Sequence, residues 1–317
     1  MKSVAAFFRL IRWPNLFFIA LTESLFYYCI IVPSLPADYY LLPHKLTGSL
    51  FPFIVAASVC IAAGGYIIND YFDINIDRVN KPKKMIIEKN IDRRAAILLH
   101  LIITTIGVAI SFYVAIKTSM IILIANIIST LLLWFYSTTF KKKLLSGNII
   151  ISVLTAWTIL VLYFATNTVI TRLPELSTDI KLSLNHIYKL AVLYGGFAFI
   201  ISLIREVVKD IEDIEGDAKY KCNTMPIDWG IPASKVFVGV WIIVLTSVLF
   251  IIQFYVLQFG WWASAMYCFL FIILPLLWVI RKLYLAQNTA DYHQLSIAIK
   301  FIMLAGILSM LFFKLYS

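Results

Sequence analysis

Two stretches of this chain carry acidic residues in one repeated spacing: Asn69-Asp70-x-x-Asp73-x-x-x-Asp77 and, 140 residues further on, Asp210-x-x-Asp213-x-x-x-Asp217. On a helix the positions i, i+3 and i+7 lie along one face, so Asp70, Asp73 and Asp77 can project together, as can Asp210, Asp213 and Asp217. Three unpaired carboxylates so placed repel one another and hold their protons more tightly than each would alone. A divalent cation removes that conflict. Carboxylate oxygens without neighbouring histidine or cysteine favour a hard ion, and magnesium commonly takes one or two carboxylates together with waters and substrate phosphate oxygens. All six aspartates are candidate metal ligands, and two such clusters facing one another would clamp a diphosphate.

The elements that must position these residues are apolar. Hydrophobic residues make up 62% of the 317 and charged residues 14%, with a mean hydropathy of +0.90, which excludes an ordinary soluble domain. Stretches long enough to cross a bilayer recur along the whole chain. Nine are expected, over residues 14–34, 50–69, 95–116, 119–140, 148–169, 188–206, 234–257, 261–280 and 295–314. Each acidic triad stands at the end of such a run, where carboxylates are costly unless something compensates them, so the pair reads as a functional site. Glu88, Glu206, Glu212 and Glu215 read as ordinary solvated acids at helix ends. A single triad would be no more telling, but two of identical spacing are.

Alternate connections differ in charge. Of 27 basic residues, 20 fall on the side that holds Lys2, Arg9 and Arg12, the segment after the second span, Lys141–Lys143, the segment after the sixth span, and Arg281 and Lys282. By the positive-inside rule that side is cytoplasmic, with the N-terminus inside and the C-terminus outside. The net charge of +10 thus describes membrane orientation and an anionic ligand. Nucleic acid is not expected, because the basic residues are divided among membrane connections rather than forming one stripe. Cys29, Cys60, Cys222 and Cys268 show no metal or redox spacing, and His44, His100, His186 and His293 are scattered. The N-terminal apolar segment reads as a retained helix, without a small-residue cleavage site.

The long connections, roughly 70–94 and 207–233, both begin with a triad, and four spans separate them. An even number places both at one membrane face. The chain is read as one membrane domain over 1–317, with a possible parallel repeat of 1–140 and 141–317.

At this point the residues resemble a family. Asn69-Asp70-Tyr71-Phe72-Asp73-Ile74-Asn75-Ile76-Asp77-Arg78-Val79-Asn80-Lys81-Pro82 is similar to the first aspartate signature of the UbiA-type intramembrane prenyltransferases. Arg12-Trp13-Pro14-Asn15 resembles the start of that family's first helix, and Tyr136 with Lys141, Lys142 and Gly147-Asn148 resembles its tyrosine-lysine segment. The second triad, with Thr224-Met225-Pro226 after it, resembles the second aspartate signature. Arg205 to Asp217 is most similar to the branch that adds a second geranylgeranyl chain to geranylgeranylglyceryl phosphate. Lys221 and Glu88-Lys89-Asn90 depart from it, standing where glycine or a glycine-containing turn is usual.

The resemblance implies an all-α, polytopic bundle of about nine transmembrane helices around a central cavity, open laterally to lipid and capped by cytoplasmic loops. It implies magnesium-dependent transfer of an isoprenyl group, here geranylgeranyl, from its diphosphate to a lipophilic acceptor, with the lipid bilayer as surroundings and no obligate protein partner. Asp70, Asp73, Asp210 and Asp213 are assigned to metal-mediated diphosphate binding at the catalytic centre, and Asn69, Asp77 and Asp217 to direct or supporting contact. Arg12, Asn15 and Tyr136 join the substrate-binding set. The residues themselves support the chemistry, because an allylic diphosphate ionises when paired magnesium ions and cationic side chains stabilise its leaving group. Lys141, Lys142, Arg78, Arg205 and Lys209 are candidate donors to those oxygens, Lys141 foremost because Tyr136 precedes it.

Other readings are weaker. Aromatic, quinone-precursor and tetrapyrrole acceptors remain open within the family. Phosphatidyl transfer from a nucleotide-activated alcohol also uses helix-borne aspartates, but its upstream glycine and arginine are missing here. An ion transporter would place its acids near the bilayer midplane and break its spans with glycine or proline.

Overall fold

The computed structural model describes residues 2–35, 37–80, 82, 85–172 and 177–316. Lys81, Lys83 and Lys84 lie outside the described residues, as do the side chains of Lys2 and His44. Among the described residues there is no strand, only an isolated bridge between Ile87 and Ile91. The helices that matter here are α1 (Lys2–Leu10), α2 (Trp13–Ser34), α3 (Ala37–Phe72), α4 (Ile74–Asn80), α5 (Arg93–Lys117), α6 (Met120–Thr138), α7 (Ser146–Thr171), α8 (Thr178–Glu212), α9 (Ile214–Lys219), α10 (Gly230–Leu257), α11 (Trp262–Leu285) and α12 (Thr289–Tyr316).

Nine of these are long and apolar enough to cross a membrane, and the chain is an integral, multi-pass membrane protein. They coincide with the nine expected spans; α3, whose crossing part is Gly48–Phe72, starts as a helix at Ala37, and α8 and α12 also run beyond their expected edges. Helix α8 begins ten residues before the expected edge, at Thr178 rather than 188. Hydropathy marks what sits in lipid, whereas Ile180, Leu184 and Ile187 continue a buried helical stripe among Asp179, Lys181, Asn185 and Lys189.

Two spans contain a turn of π-helix, Tyr27–Ile31 and Phe269–Ile273, and each precedes a proline, Pro33 and Pro275. Proline has no N–H and its ring crowds the carbonyl four residues back, so the wider turn accommodates it without ending the span. At its start α2 is set by Arg12, whose backbone is left-handed at φ 52°, and by Pro14 in its first turn.

The chain forms two compact units. The first comprises Met1–Phe140 and Trp157–Leu193, the second Lys141–Ala156 and Tyr194–Ser317, so the boundary falls within α7 and α8. In the first unit α3 packs on α5 and α6 through small residues. A Cβ on Gly64 would come within 2.2 Å of Thr104 Oγ1, and one on Gly65 within 2.8 Å of Leu133 Cδ1. Lipid tails are as apolar as leucine, so close backbone approach and satisfied polar groups, rather than escape from water, hold such helices together. The polar part is a closed relay. Asn126 Nδ2 donates to Ser111 Oγ at 2.9 Å, and Trp157 Nε1 donates to Asn126 Oδ1 at 3.0 Å.

In the second unit Ile201, Ile204, Val207, Val208 and Ile211 of α8 pack into a core with α10, α11 and α12. That stripe fixes the rotation of α8. Positions 205, 206, 209, 210 and 213 are thereby left on the opposite arc, and all of them bear charge.

Candidate active site

Both aspartate motifs are built on the same local design. Helix α3 ends at Phe72, Asp73 is a turn, and α4 begins at Ile74; helix α8 ends at Glu212, Asp213 is a turn, and α9 begins at Ile214. On an unbroken helix the three aspartates of each triad would share one face; here each helix is interrupted at the middle aspartate. At Asp213 the backbone relaxes to φ −96°, ψ 9°, the bridge region in which many active-site residues sit. The i→i−4 bonds survive the interruption: Asp73 N–H to Asn69 O at 3.0 Å, Asp77 to Asp73 at 2.8 Å, Asp213 to Lys209 at 2.9 Å and Asp217 to Asp213 at 3.2 Å.

In the first unit Asp70 is held by Arg12, whose Nη2 lies 2.6 Å from Oδ1. The same guanidinium lies over the Tyr66 ring, 5.2 Å from its centroid. The charge of Asp70 raises the Arg12 pKa further above its ordinary value, against the opposing effect of burial. Asn69 is buried and donates from Nδ2 to Asp73 Oδ2 at 2.7 Å, while its Oδ1 is buried without a hydrogen-bond partner. Asp70 and Asp77 line a small, half-open cleft with Ile74, Met85, Ile86 and Ile87. Arg78 turns to Glu88 at 2.5 Å. Asn15, Tyr136 and Lys141 are partly buried, and Lys142 is exposed.

In the second unit Asn148 donates from Nδ2 to Asp210 Oδ2 at 2.7 Å. Arg205 and Lys209 both bind Glu206, at 3.0 and 3.2 Å. The Arg205 Nε is buried without a partner. Asp217 is buried, and its carbonyl accepts the Cys222 N–H at 3.0 Å across a turn in which Lys221 is left-handed, at φ 56°. The Lys142 carbonyl accepts the Asn223 N–H at 2.8 Å, tying the turn Phe140–Lys142 to the loop after the second motif.

Three of the four glutamates expected to be solvated are engaged. Glu88 binds Arg78 and Arg93, Glu206 binds Arg205 and Lys209, and Glu212 Oε1 lies 2.8 Å from His293 Nδ1. Their partners are near in space more than in sequence, or share a helix face that apolar scanning ignores. Asn148 was named only for its place beside Gly147 in the resemblance and Glu206 only as a solvated acid, so neither was given a part in the site. Of the aromatics near the motifs, Phe197 packs where a Gly306 Cβ would stand and the Tyr194 hydroxyl bonds Ser309 at 3.0 Å, so both serve helix packing.

Among the described residues no three acidic, histidine or cysteine side chains converge as a ready-made metal cluster. The donor set nevertheless suits a hard cation. It consists of oxygens, and the partnerless Asn69 Oδ1 stands beside Asp73 with lone pairs free for a ligand.

A helical, multi-pass membrane protein whose polar residues gather in two like motifs at span ends is the class that fold and site define. The model of the UbiA prenyltransferase family matches residues 30–305, and the chain belongs to that family; it is a membrane prenyltransferase. It is 30% identical to the digeranylgeranylglyceryl phosphate synthase of Methanosphaera stadtmanae over 81% of this chain and 86% of that one. With the enzyme of the same name from Sulfurisphaera tokodaii it shares 30% identity, over 80% of each chain. A solved structure described as giving insights into digeranylgeranylglyceryl phosphate synthase in membranes superposes with a TM-score of 0.58 at 24% identity, covering 98% of this chain and 99% of that one. A UbiA homologue from Archaeoglobus fulgidus, solved bound to GPP and Mg2+, superposes with a TM-score of 0.55 at 12% identity, covering 96% and 99%.

Proposed function

We propose that this enzyme transfers a geranylgeranyl group from its diphosphate to the free hydroxyl of geranylgeranylglyceryl phosphate. The observation that carries the reading is the pair of aspartate motifs, each on a helix interrupted at its middle aspartate. The 30% identity to enzymes named digeranylgeranylglyceryl phosphate synthase supports the choice of acceptor over an aromatic or tetrapyrrole one. The acidic motifs are read as facing the cytoplasm, in keeping with the basic residues around them, and as equivalent members of a parallel repeat.

Asp70, Asp73 and Asp77, with the Asn69 carbonyl oxygen, and Asp210, Asp213 and Asp217 would hold magnesium. When bound, that ion neutralises diphosphate charge and stabilises it as a leaving group. The chain's own cations act on the same oxygens. Arg12, held beside Asp70, and Arg78, Lys141, Lys142, Arg205 and Lys209 supply donors to the departing diphosphate. As the allylic C–O bond breaks, its electron pair stays on the bridging oxygen. The acceptor hydroxyl oxygen forms the new C–O bond, and its proton passes to the released diphosphate. Lipid-embedded helices keep water from capturing the allylic cation.

The test is to incubate the purified protein with magnesium, prenyl diphosphates of graded length and a panel of acceptors, and to identify products by mass. A digeranylgeranyl product is expected. Prenylation of an aromatic acceptor, with geranylgeranylglyceryl phosphate untouched, would overturn the acceptor assignment.

A further inference from the structure

The turn between α4 and α5 contains a residue in an unfavourable place. Glu88 adopts φ 72°, the left-handed conformation that glycine reaches freely and that a Cβ opposes. The turn is nonetheless tightly built. Glu88 N–H bonds Ile91 O at 2.9 Å, and the Asn90 and Ile91 N–H groups both reach Ile86 O, at 2.9 and 3.3 Å.

The side chain does what glycine could not. Glu88 Oε2 accepts from Arg78 Nη2 at 2.5 Å and Oε1 pairs with Arg93 Nη2 at 2.7 Å. Arg78 follows Asp77 directly on α4, and Arg93 is the first residue of α5, so one carboxylate ties the end of the acidic motif to the start of the next span. The hydrogen bond from Arg78 holds the Glu88 carboxyl below the usual carboxylate range, so the clamp is fully charged at neutral pH. What it holds in place is the limb Met85–Ile87, which lines the cleft with Asp70 and Asp77. Ile87 is buried and packs in one cluster with Leu10, Ile74 and Ala96.

We propose that Glu88 is a positioning residue for the prenyl diphosphate donor: its two ion pairs hold Met85–Ile87 across the Asp70–Asp77 cleft and so set the width of that cleft. The proposal rests on the reading of that cleft as part of the diphosphate site. Exposed ion pairs are individually weak, so the effect belongs in donor affinity and not in whether the protein folds.

The test compares Glu88→Gln, which keeps size and backbone strain but removes the charge, with Glu88→Gly, which also relieves the strain and so cannot fail through misfolding of the turn. In both, the donor KM rises about three- to tenfold, while kcat and the acceptor KM stay within about twofold. Backbone amides of residues 86–91 exchange hydrogen faster, and those of 214–222 do not. A native donor KM in both variants overturns the proposal, whether or not exchange quickens; so does an equal rise in the acceptor KM. Asp70→Asn distinguishes the two levels. Turnover retained in that variant overturns the site reading itself, whereas turnover lost there, with Glu88→Gln behaving as native, overturns the positioning role alone.

Discussion

Removing the amide of Asn148 tests whether Asp210 works through the hydrogen bond that the structure gives it. Asn148 is buried, its Nδ2 donates to Asp210 Oδ2 at 2.7 Å, and the two residues lie 62 positions apart, on α7 and α8. A hydrogen bond to a charged acceptor contributes about 1.5–3 kcal/mol. Each 1.36 kcal/mol is worth a factor of ten. Asn148→Ala should therefore lower kcat/KM for the prenyl diphosphate by about 10- to 100-fold if the oriented carboxylate acts in the transition state. The assay is initial rate against donor concentration at saturating magnesium, with the thermal midpoint in detergent recorded for each variant. A double-mutant cycle with Asp210→Asn, read as donor binding by thermal shift, asks whether the loss runs through Asp210, since the effect of Asn148→Ala should then vanish in that background. If Asn148→Ala kept kcat/KM within about twofold of native with an unchanged midpoint, the reasoning would be refuted.

Asp70→Ala and Asp210→Ala should each abolish product formation while the protein still elutes as a folded species in detergent; near-native rates in both would remove the aspartates from the site. Glu23 is fully buried within α2, where burial outweighs what Ser58 offers its carboxyl, so Glu23→Met should raise the thermal midpoint by about 2–4 °C, measured by tryptophan fluorescence. Gly64→Ala should destabilise by about 1–3 kcal/mol, because its Cβ meets Thr104 Oγ1 at 2.2 Å. Adding Thr104→Ala should recover most of that loss, since the neighbours that remain, the Thr104 Cβ at 3.4 Å and the His100 Nδ1 at 3.6 Å, lie at ordinary contact distance.

Nine spans were legible because each is a run of apolar residues of bilayer length, and that pattern depends on nothing outside the run. The π-turns were not legible: Pro52 lies inside α3 without one, so a proline within an apolar run does not by itself mark where a helix widens. The extension of α8 back to Thr178 was not, since Asp179, Lys181 and Lys189 read as a connection to any scale of lipid affinity. The aspartate spacing pointed to the motifs but not to the company each carboxylate keeps. Arg12 reaches Asp70 across 58 residues and Asn148 reaches Asp210 across 62, and partners so distant are chosen by helix packing, which local periodicity does not encode. Backbone conformation at Glu88 and Lys221 was signalled only through the resemblance, since both stand where glycine or a glycine-containing turn is usual and both have positive φ; neither residue type announces it alone.

The two motifs solve one problem by different means. A carboxylate at the end of a span needs a donor in place of lost water, or it will resist ionisation. In the first motif that donor is a guanidinium, which pairs with Asp70. In the second it is a neutral amide, which donates to Asp210. The first motif therefore has a compensating charge at Asp70 where the second has a neutral donor at Asp210, although their aspartate spacing is identical. The interruption at Asp73 and Asp213 is the shared element, and the difference between an arginine and an asparagine behind it is what makes the two aspartate clusters chemically distinct.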